Sequence, residues 1–298
     1  MSAAISPCTA DDGAFILDLV LTSNGYRLDE SPDRLGALQP APDAERGDRD
    51  ALWARLRRDG YLFLKGALDP SRVLEFRRYY FGRLAETGLV SDPVNGIAAG
   101  GTPDQAVLRR ILFHTIVPGP EYREFCTQSA IREWYEWFLG DRPFLHRRKL
   151  IRHTRPGENG IGTATQAHYD LVYLRDGTDR VLSSWIPLGD CPTTLGGLLY
   201  LQGSHRAVLA EEQAGGVRPK GWITADLPAL AERYDTRWLV ADYAAGDMVI
   251  HSAYTIHAAL DNVDPAGTLR LSTDIRYQRA DLPIDWRWQH DWHDHDGL

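Results

Sequence analysis

FLHRRKLIRHT (144–154), TQAHYDLVYLR (165–175), RVLSSWIPLGD (180–190), GLLYLQGS (197–204), TRWLVA (236–241), DMVIHSA (247–253) and TLRLSTDIRYQ (268–278) follow one another as short strand-like runs. Turn formers such as Pro156-Gly157, Gly196-Gly197 and Pro265-Ala266-Gly267 separate many of them. A helical pattern interrupts the series only over residues 207–235. Many short strands divided by Gly/Pro turns predict an antiparallel sandwich or jelly roll. The 298-residue chain is therefore mainly β with helical decoration.

Upstream of this region the texture differs. ALWARLRRDG (51–60) reads as a helix and YLFLKG (61–66) as a short strand, and Asp69-Pro70-Ser71 opens an amphipathic helix to about Glu86. Asp69 suits the N-cap and Pro70 the first helical position. Residues 88–106 read as a Gly-rich loop, and RRILFHTIV (109–117) as a strand. EYREFCTQSAIREWYEWFLG (121–140) has apolar spacings of three and four, which predict one or two helices. Residues 29–50 are rich in Pro, Asp and Gly and read as a linker. The expected organisation is an arm or linker over 1–50, one domain over 51–282 with N-terminal supporting helices, and a tail over 283–298.

Composition narrows the function. A formal charge of −8 and a sequence pI of about 5.7 are the wrong sign for neutralising phosphates, so neither nucleic acid nor an anionic membrane is an expected partner. Cys8, Cys126 and Cys191 are too few and too scattered for a disulfide framework or a zinc cage, which fits a reducing, cytoplasmic compartment. The first residues carry acids and no basic segment, and apolar runs such as FILDLVL (15–21) are far shorter than a membrane helix needs. A soluble protein, monomeric or a small homo-oligomer, acting on a small molecule is expected.

His168-Tyr169-Asp170 carries the chemistry. In extended chain, residues i and i+2 share a face, so the imidazole and carboxylate project side by side. A second imidazole from a later strand would complete a metal site, and His257, 87 residues beyond Asp170 in IHAALDN, can supply it. Two histidines and one carboxylate on one face leave coordination positions open, the arrangement of non-haem Fe(II) oxygenases. Taken alone, the His-x-Asp spacing is weak and more often describes a surface strand. Thirteen residues past His257, Arg270 begins the alternating strand RLSTDIR, with Ser272, Asp274 and Arg276 on its face. That face could lie in water, or its first guanidinium could clamp the far carboxylate of a small diacid.

RDGYLFLKGALDP near the start, SSWIPLGD followed by GGLLYLQGSHR, and Gly246-Asp247-Met248-Val249 ahead of His257 occur in this order. Over roughly residues 53–280 the chain resembles the phytanoyl-CoA dioxygenase family of iron and 2-oxoglutarate oxygenases, with bacterial natural-product members most alike. The resemblance implies a double-stranded β-helix (jelly roll, cupin-like), with Fe(II), 2-oxoglutarate and O2 as metal, cosubstrate and oxidant. It implies iron ligation by His168, Asp170 and His257, and a hold by Arg270 on the cosubstrate's far carboxylate. Trp185 matches a tryptophan that in some members lines the cosubstrate pocket, though a core aromatic is as good a reading. Ile151 and His114 fall where members pack on or hydrogen-bond 2-oxoglutarate; for His114 a satisfied core or surface histidine is the better reading. No catalytic residue beyond the iron ligands is needed.

The chain departs from the pattern in two places. Ala259 stands where some members carry Ser or Thr two residues after the distal histidine, leaving Ser272 or Tyr277 to supply the hydroxyl. Tyr169 replaces the frequent Gln or Glu and, with Arg152 and Arg206, is a candidate for meeting substrate; each arginine could equally be a solvated charge. His290, His293 and His295 cluster with aspartates in the tail, more in the manner of a surface terminus than of a metal site. The implied reaction is hydroxylation of an aliphatic carbon of a specialised metabolite, with release of succinate and CO2. The alternatives are desaturation, cyclisation or epimerisation by the same chemistry, or a jelly-roll binding protein without turnover.

Overall fold

The computed structural model describes residues 20–158, 160, 163–216 and 219–293. Its strands are β1 (Thr22–Ser23), β2 (Tyr26–Arg27), β3 (Leu35–Ala37), β4 (Tyr61–Leu64), β5 (Val90–Asp92), β6 (Ile97–Ala98), β7 (Pro143–Leu145), β8 (Leu150–Thr154), β9 (Leu182–Pro187), β10 (Leu198–Leu201), β11 (Trp238–Val240), β12 (Met248–Ser252), β13 (His257–Ala259) and β14 (Arg270–Arg279). The helices are α1 (Arg49–Asp59), α2 (Pro70–Leu84), α3 (Gln105–Ile111), α4 (Pro120–Cys126), α5 (Ser129–Leu139), α6 (Ser204–Gln213) and α7 (Leu227–Arg233).

The larger sheet runs β4-β12-β9-β14, with β8 and β7 both pairing with β14; the smaller runs β13-β10-β11-β3. Period-two alternation divides each strand of the larger sheet between two cores. Leu62, Leu64, Met248, Ile250, Ile186, Leu271 and Ile275 turn outward onto α1, α2, α4 and α5. Tyr61, Phe63, Val249 and Trp185 turn inward, against Leu198, Tyr200, Leu239 and Ala259 of the smaller sheet. Two facing sheets with helices outside the larger one are a jelly roll, as expected. Polar residues on the outer face are satisfied by helix tyrosines: Tyr135 Oη lies 2.6 Å from Ser184 Oγ and Tyr122 Oη 2.6 Å from Thr273 Oγ1.

Asp69 caps α2 as expected, accepting from Ser71 N at 2.8 Å, and α4 and α5 form where apolar spacing placed them. Four local expectations differ. Residues 109–117 are helical, α3 passing directly into a π-helical turn at Leu112–Ile116, because Leu108, Ile111, Leu112 and Ile116 share one buried stripe. The loop 88–106 contains the β5–β6 hairpin and the first residues of α3, capped by Asp104. Residues 29–50 contain β3, which pairs in parallel with β11, and Pro40 bridges to Phe63, so they are tied to both sheets. Residues 165–175 hold only isolated bridges, Ala167 to Thr224 and His168 to His257, before a 3-10 turn at Asp170–Val172. Cys8, the first 19 residues and His295 lie outside the described residues.

Candidate active site

Alternation on β14 sends Arg270, Ser272, Asp274 and Arg276 between the sheets while Leu271, Thr273 and Ile275 face the helices. These four side chains form one wall of a cavity of about 180 Å3. The bridge between His168 and His257, with reciprocal hydrogen bonds of 3.1 and 2.9 Å, holds the two imidazoles against one another, their centroids 4.3 Å apart. Tyr169 keeps extended geometry, φ −127° and ψ 145°, so Asp170 emerges on the face of His168. The i, i+2 relation holds here without a continuous strand.

The result is a cluster in which one ligand atom from each of His168, Asp170 and His257 lies within 4.8 Å of the others. It is the only such group among the described residues; the tail histidines His290 and His293 form none. His168 Nδ1 lies 2.8 Å from Gln166 O and His257 Nδ1 3.0 Å from Thr255 O. Each contact places the ring proton on Nδ1 and leaves Nε2 as a lone-pair donor, as a metal-binding imidazole requires. Burial lowers the basicity of both rings, and for His257 the neighbouring His168 and His251 lower it further. Burial alone would raise the Asp170 pKa, but the Arg276 guanidinium and the His251 and His257 imidazoles outweigh it and hold the carboxyl well below its usual range. Two neutral imidazoles and one carboxylate are the donor set that iron(II) takes, and the residues fit the metal.

Asp170 is held from several sides. Arg276 Nη2 donates to Oδ1 at 3.0 Å, His251 Nε2 lies 3.3 Å from Oδ2, and Ser183 Oγ donates to Oδ2. Sequence reading missed His251 and Ser183 as site residues. Their signal was available: each is a polar residue at the inward phase of an apolar strand, His251 after Val249 and Ser183 before Trp185.

Arg270 is 3 % exposed, and its guanidinium touches only hydroxyls: Thr154 Oγ1 at 2.6 and 3.2 Å and Ser272 Oγ at 3.1 Å. Among the described residues it pairs with no carboxylate. Burial pushes its pKa down, so an anion from outside would relieve its desolvation. Trp185 also lines this cavity while packing edge-on against Tyr243 at 4.7 Å.

Other expected site residues lie elsewhere. Ile151 is fully buried in the helix-side core, since β8 alternates and turns Leu150 and Arg152 to the cavity instead. His114 is exposed on the π-helical turn, its ring 5.9 Å from that of His293. Tyr169 points opposite to its neighbours, its hydroxyl donating to Glu212 at 2.8 Å. Arg206 borders a separate hollow between α1 and α6 and donates to Arg58 O at 2.6 Å. Tyr277 Oη donates to Cys126 O at 3.1 Å on the outer face, so of the two candidate hydroxyls only Ser272 lines the cavity. Arg152 does line it.

The motifs that carried the resemblance support the site from outside. Ser204 of the Gly-Ser-His loop accepts from Ile256 N at 2.9 Å, one residue before His257. Asp247 gathers Lys65 Nζ at 2.6 Å and the amides of Gly66 and Ala244, each at 2.9 Å, at the head of β12.

Fold, donor set and isolated guanidinium together define a metal-dependent oxygenase of jelly-roll form. Residues 56–267 match the model of the phytanoyl-CoA dioxygenase (PhyH) family, and the chain belongs to that family. It is an iron- and 2-oxoglutarate-dependent dioxygenase. It is 27 % identical over 241 residues to a 1-deoxypentalenic acid 11-beta-hydroxylase of Streptomyces exfoliatus, covering 78 % of this chain and 82 % of the relative. Similar solved structures include EctD from S. alaskensis, with a TM-score of 0.55 and 17 % identity over 92 % of both chains. Another is SnoN, a non-heme alpha ketoglutarate dependent epimerase from nogalamycin biosynthesis, with a TM-score of 0.53 and 22 % identity over 80 % of this chain and 85 % of that one. No described helix is long and apolar enough to cross a membrane.

Proposed function

We propose that this dioxygenase hydroxylates an aliphatic carbon of a small specialised metabolite, with 2-oxoglutarate leaving as succinate and CO2. His168, Asp170 and His257 hold the iron. Iron bound there, with 2-oxoglutarate and O2, supplies an oxidant able to remove hydrogen from an unactivated carbon. The protein's own residues bind and position. Arg270, aligned by Thr154 and Ser272, takes the far carboxylate of 2-oxoglutarate as a charge-assisted pair. Arg276, His251 and Ser183 fix the Asp170 carboxylate so that it presents one orientation to the metal. Trp185 and Leu198 exclude water from the cosubstrate side of the cavity.

The observation that carries the reading is that His168 and His257 of the two-histidine, one-carboxylate cluster line the same cavity as a buried guanidinium with no carboxylate partner among the described residues. Hydroxylase relatives at 27–28 % identity support this outcome over desaturation, cyclisation or epimerisation. Purified protein given Fe(II), ascorbate and O2 should convert 2-oxoglutarate to succinate. With a metabolite substrate, mass spectrometry should find a product heavier by one oxygen atom. A product lighter by two hydrogens, or unchanged in mass, would replace hydroxylation by the alternatives; no succinate under any condition would leave only a binding protein.

A further inference from the structure

Besides Arg270, three guanidinium groups line the cavity: Arg148, stacked over Trp288 at 5.2 Å, Arg152 and Arg276. Arg152 lines the cavity, exposed and 5.9 Å over the Trp292 ring, and makes no hydrogen bond or ion pair among the described residues. Arg276 is 3 % exposed; Asp170 engages its Nη2, and among the described residues its buried Nε and Nη1 have no hydrogen-bond partner. A buried guanidinium left in this state costs free energy that an incoming anion would recover.

This pair is distinct from Arg270. Six residues of extended strand set the Cα atoms of Arg270 and Arg276 roughly 20 Å apart at about 3.4 Å per residue. Aromatic surface lies beside the second cation: the Arg276 guanidinium stacks on Trp288 at 4.7 Å, and Trp222 and Tyr173 border the same space. Asp274 shares this wall; burial pushes its carboxyl pKa up, while Arg276 and Arg152 beside it pull the other way.

We infer that the substrate is an apolar molecule bearing a carboxylate, which Arg152 and Arg276 bind while its hydrocarbon body rests against Trp222 and Tyr173. The inference rests on the functional reading above and adds the substrate's chemical class. Arg152 captures the acid group, and Arg276 receives it beside the metal cluster.

The test uses the full chain with Fe(II) and saturating 2-oxoglutarate, without O2. Cyclohexanecarboxylate, benzoate and adamantane-1-carboxylate are each titrated against their own carboxamides, followed by tryptophan fluorescence and calorimetry. At least one acid should bind roughly tenfold tighter than its amide, the size of a charge-assisted over a neutral contact. Arg152→Gln should shrink that preference to about threefold or less, and Arg276→Gln, with its iron content measured first, should do the same. The affinity for 2-oxoglutarate is measured separately on each protein. Failure of 2-oxoglutarate to bind would sink the functional reading and this inference with it. Binding of 2-oxoglutarate with no acid outdoing its amide, or a preference that survives in both variants, would overturn this inference alone.

Discussion

Asp170 is where the buried charge of the site converges, and its neighbours separate two consequences of removing it. Asp170→Ala takes away an iron ligand and also strands Arg276, whose Nη2 has no other acceptor. Breaking a buried pair in this way costs about 3–5 kcal/mol. His168→Ala removes a ligand but no charge partner, because the imidazole is neutral and its Nδ1 contact is to a backbone carbonyl. Both variants should lose iron and turnover, yet in urea unfolding of the iron-free proteins only Asp170→Ala should show the large deficit. Equal losses would mean that Arg276 is not the group Asp170 neutralises. Arg270 answers to a different measurement. Its truncation should leave iron binding nearly intact and weaken 2-oxoglutarate by about 2–5 kcal/mol, tens- to thousands-fold in affinity by calorimetry. An unchanged affinity would take the cosubstrate away from Arg270.

At the scale of elements, strand alternation did most of the positioning, and it was the feature most legible in the sequence. RLSTDIR declares its two faces residue by residue, and β14 keeps them. Legibility failed where local composition and tertiary role parted. RRILFHTIV is rich in β-branched and aromatic residues, yet its apolar residues recur at helical spacing and dock on the helical layer. TQAHYDLVYLR looks like a strand, but its role is to turn at Asp170 and aim two ligands, so only a bridge survives. Ile151 was one residue out of phase, which on a strand is the opposite face. The Gly-Asp signal before β12 has a clear physical basis. Gly246 has φ +97°, and a Cβ there would lie 2.5 Å from Leu68 O. Gly246→Ala should therefore destabilise by about 1–3 kcal/mol, through strain and the forced displacement of Leu68. A thermal scan showing no fall in Tm would mean that the β4–β12 edge yields more readily than its packing implies.

For the molecule as a whole, the helical layer and the sheet meet at a titratable contact outside the iron cluster. His153 on β8 turns away from the cavity, and its Nδ1 lies 2.7 Å from Tyr80 Oη on α2. Burial pushes its pKa down to about 4, with Arg155 and Arg270 adding to the effect. The unfolded chain carries the same ring near its ordinary value of about 6.5. Above that value both states are neutral and full stability is present. As pH falls below it, the unfolded chain takes up a proton that the folded one refuses, so stability is lost until about pH 4. The lowered carboxyl of Asp170 acts elsewhere on the scale: its contribution is present above the unfolded carboxyl pKa and is lost at more acid pH. The shift at His153 corresponds to a loss on the order of 3 kcal/mol between neutral and moderately acid solution. His153→Gln keeps an acceptor for Tyr80 and removes the titration. Urea unfolding of the iron-free protein at neutral pH and near pH 4.5 should show the unaltered chain losing more stability than the variant, by on the order of 2–3 kcal/mol. Parallel losses in the two proteins would place the acid sensitivity of the fold in other groups and leave His153 as a plain packing residue.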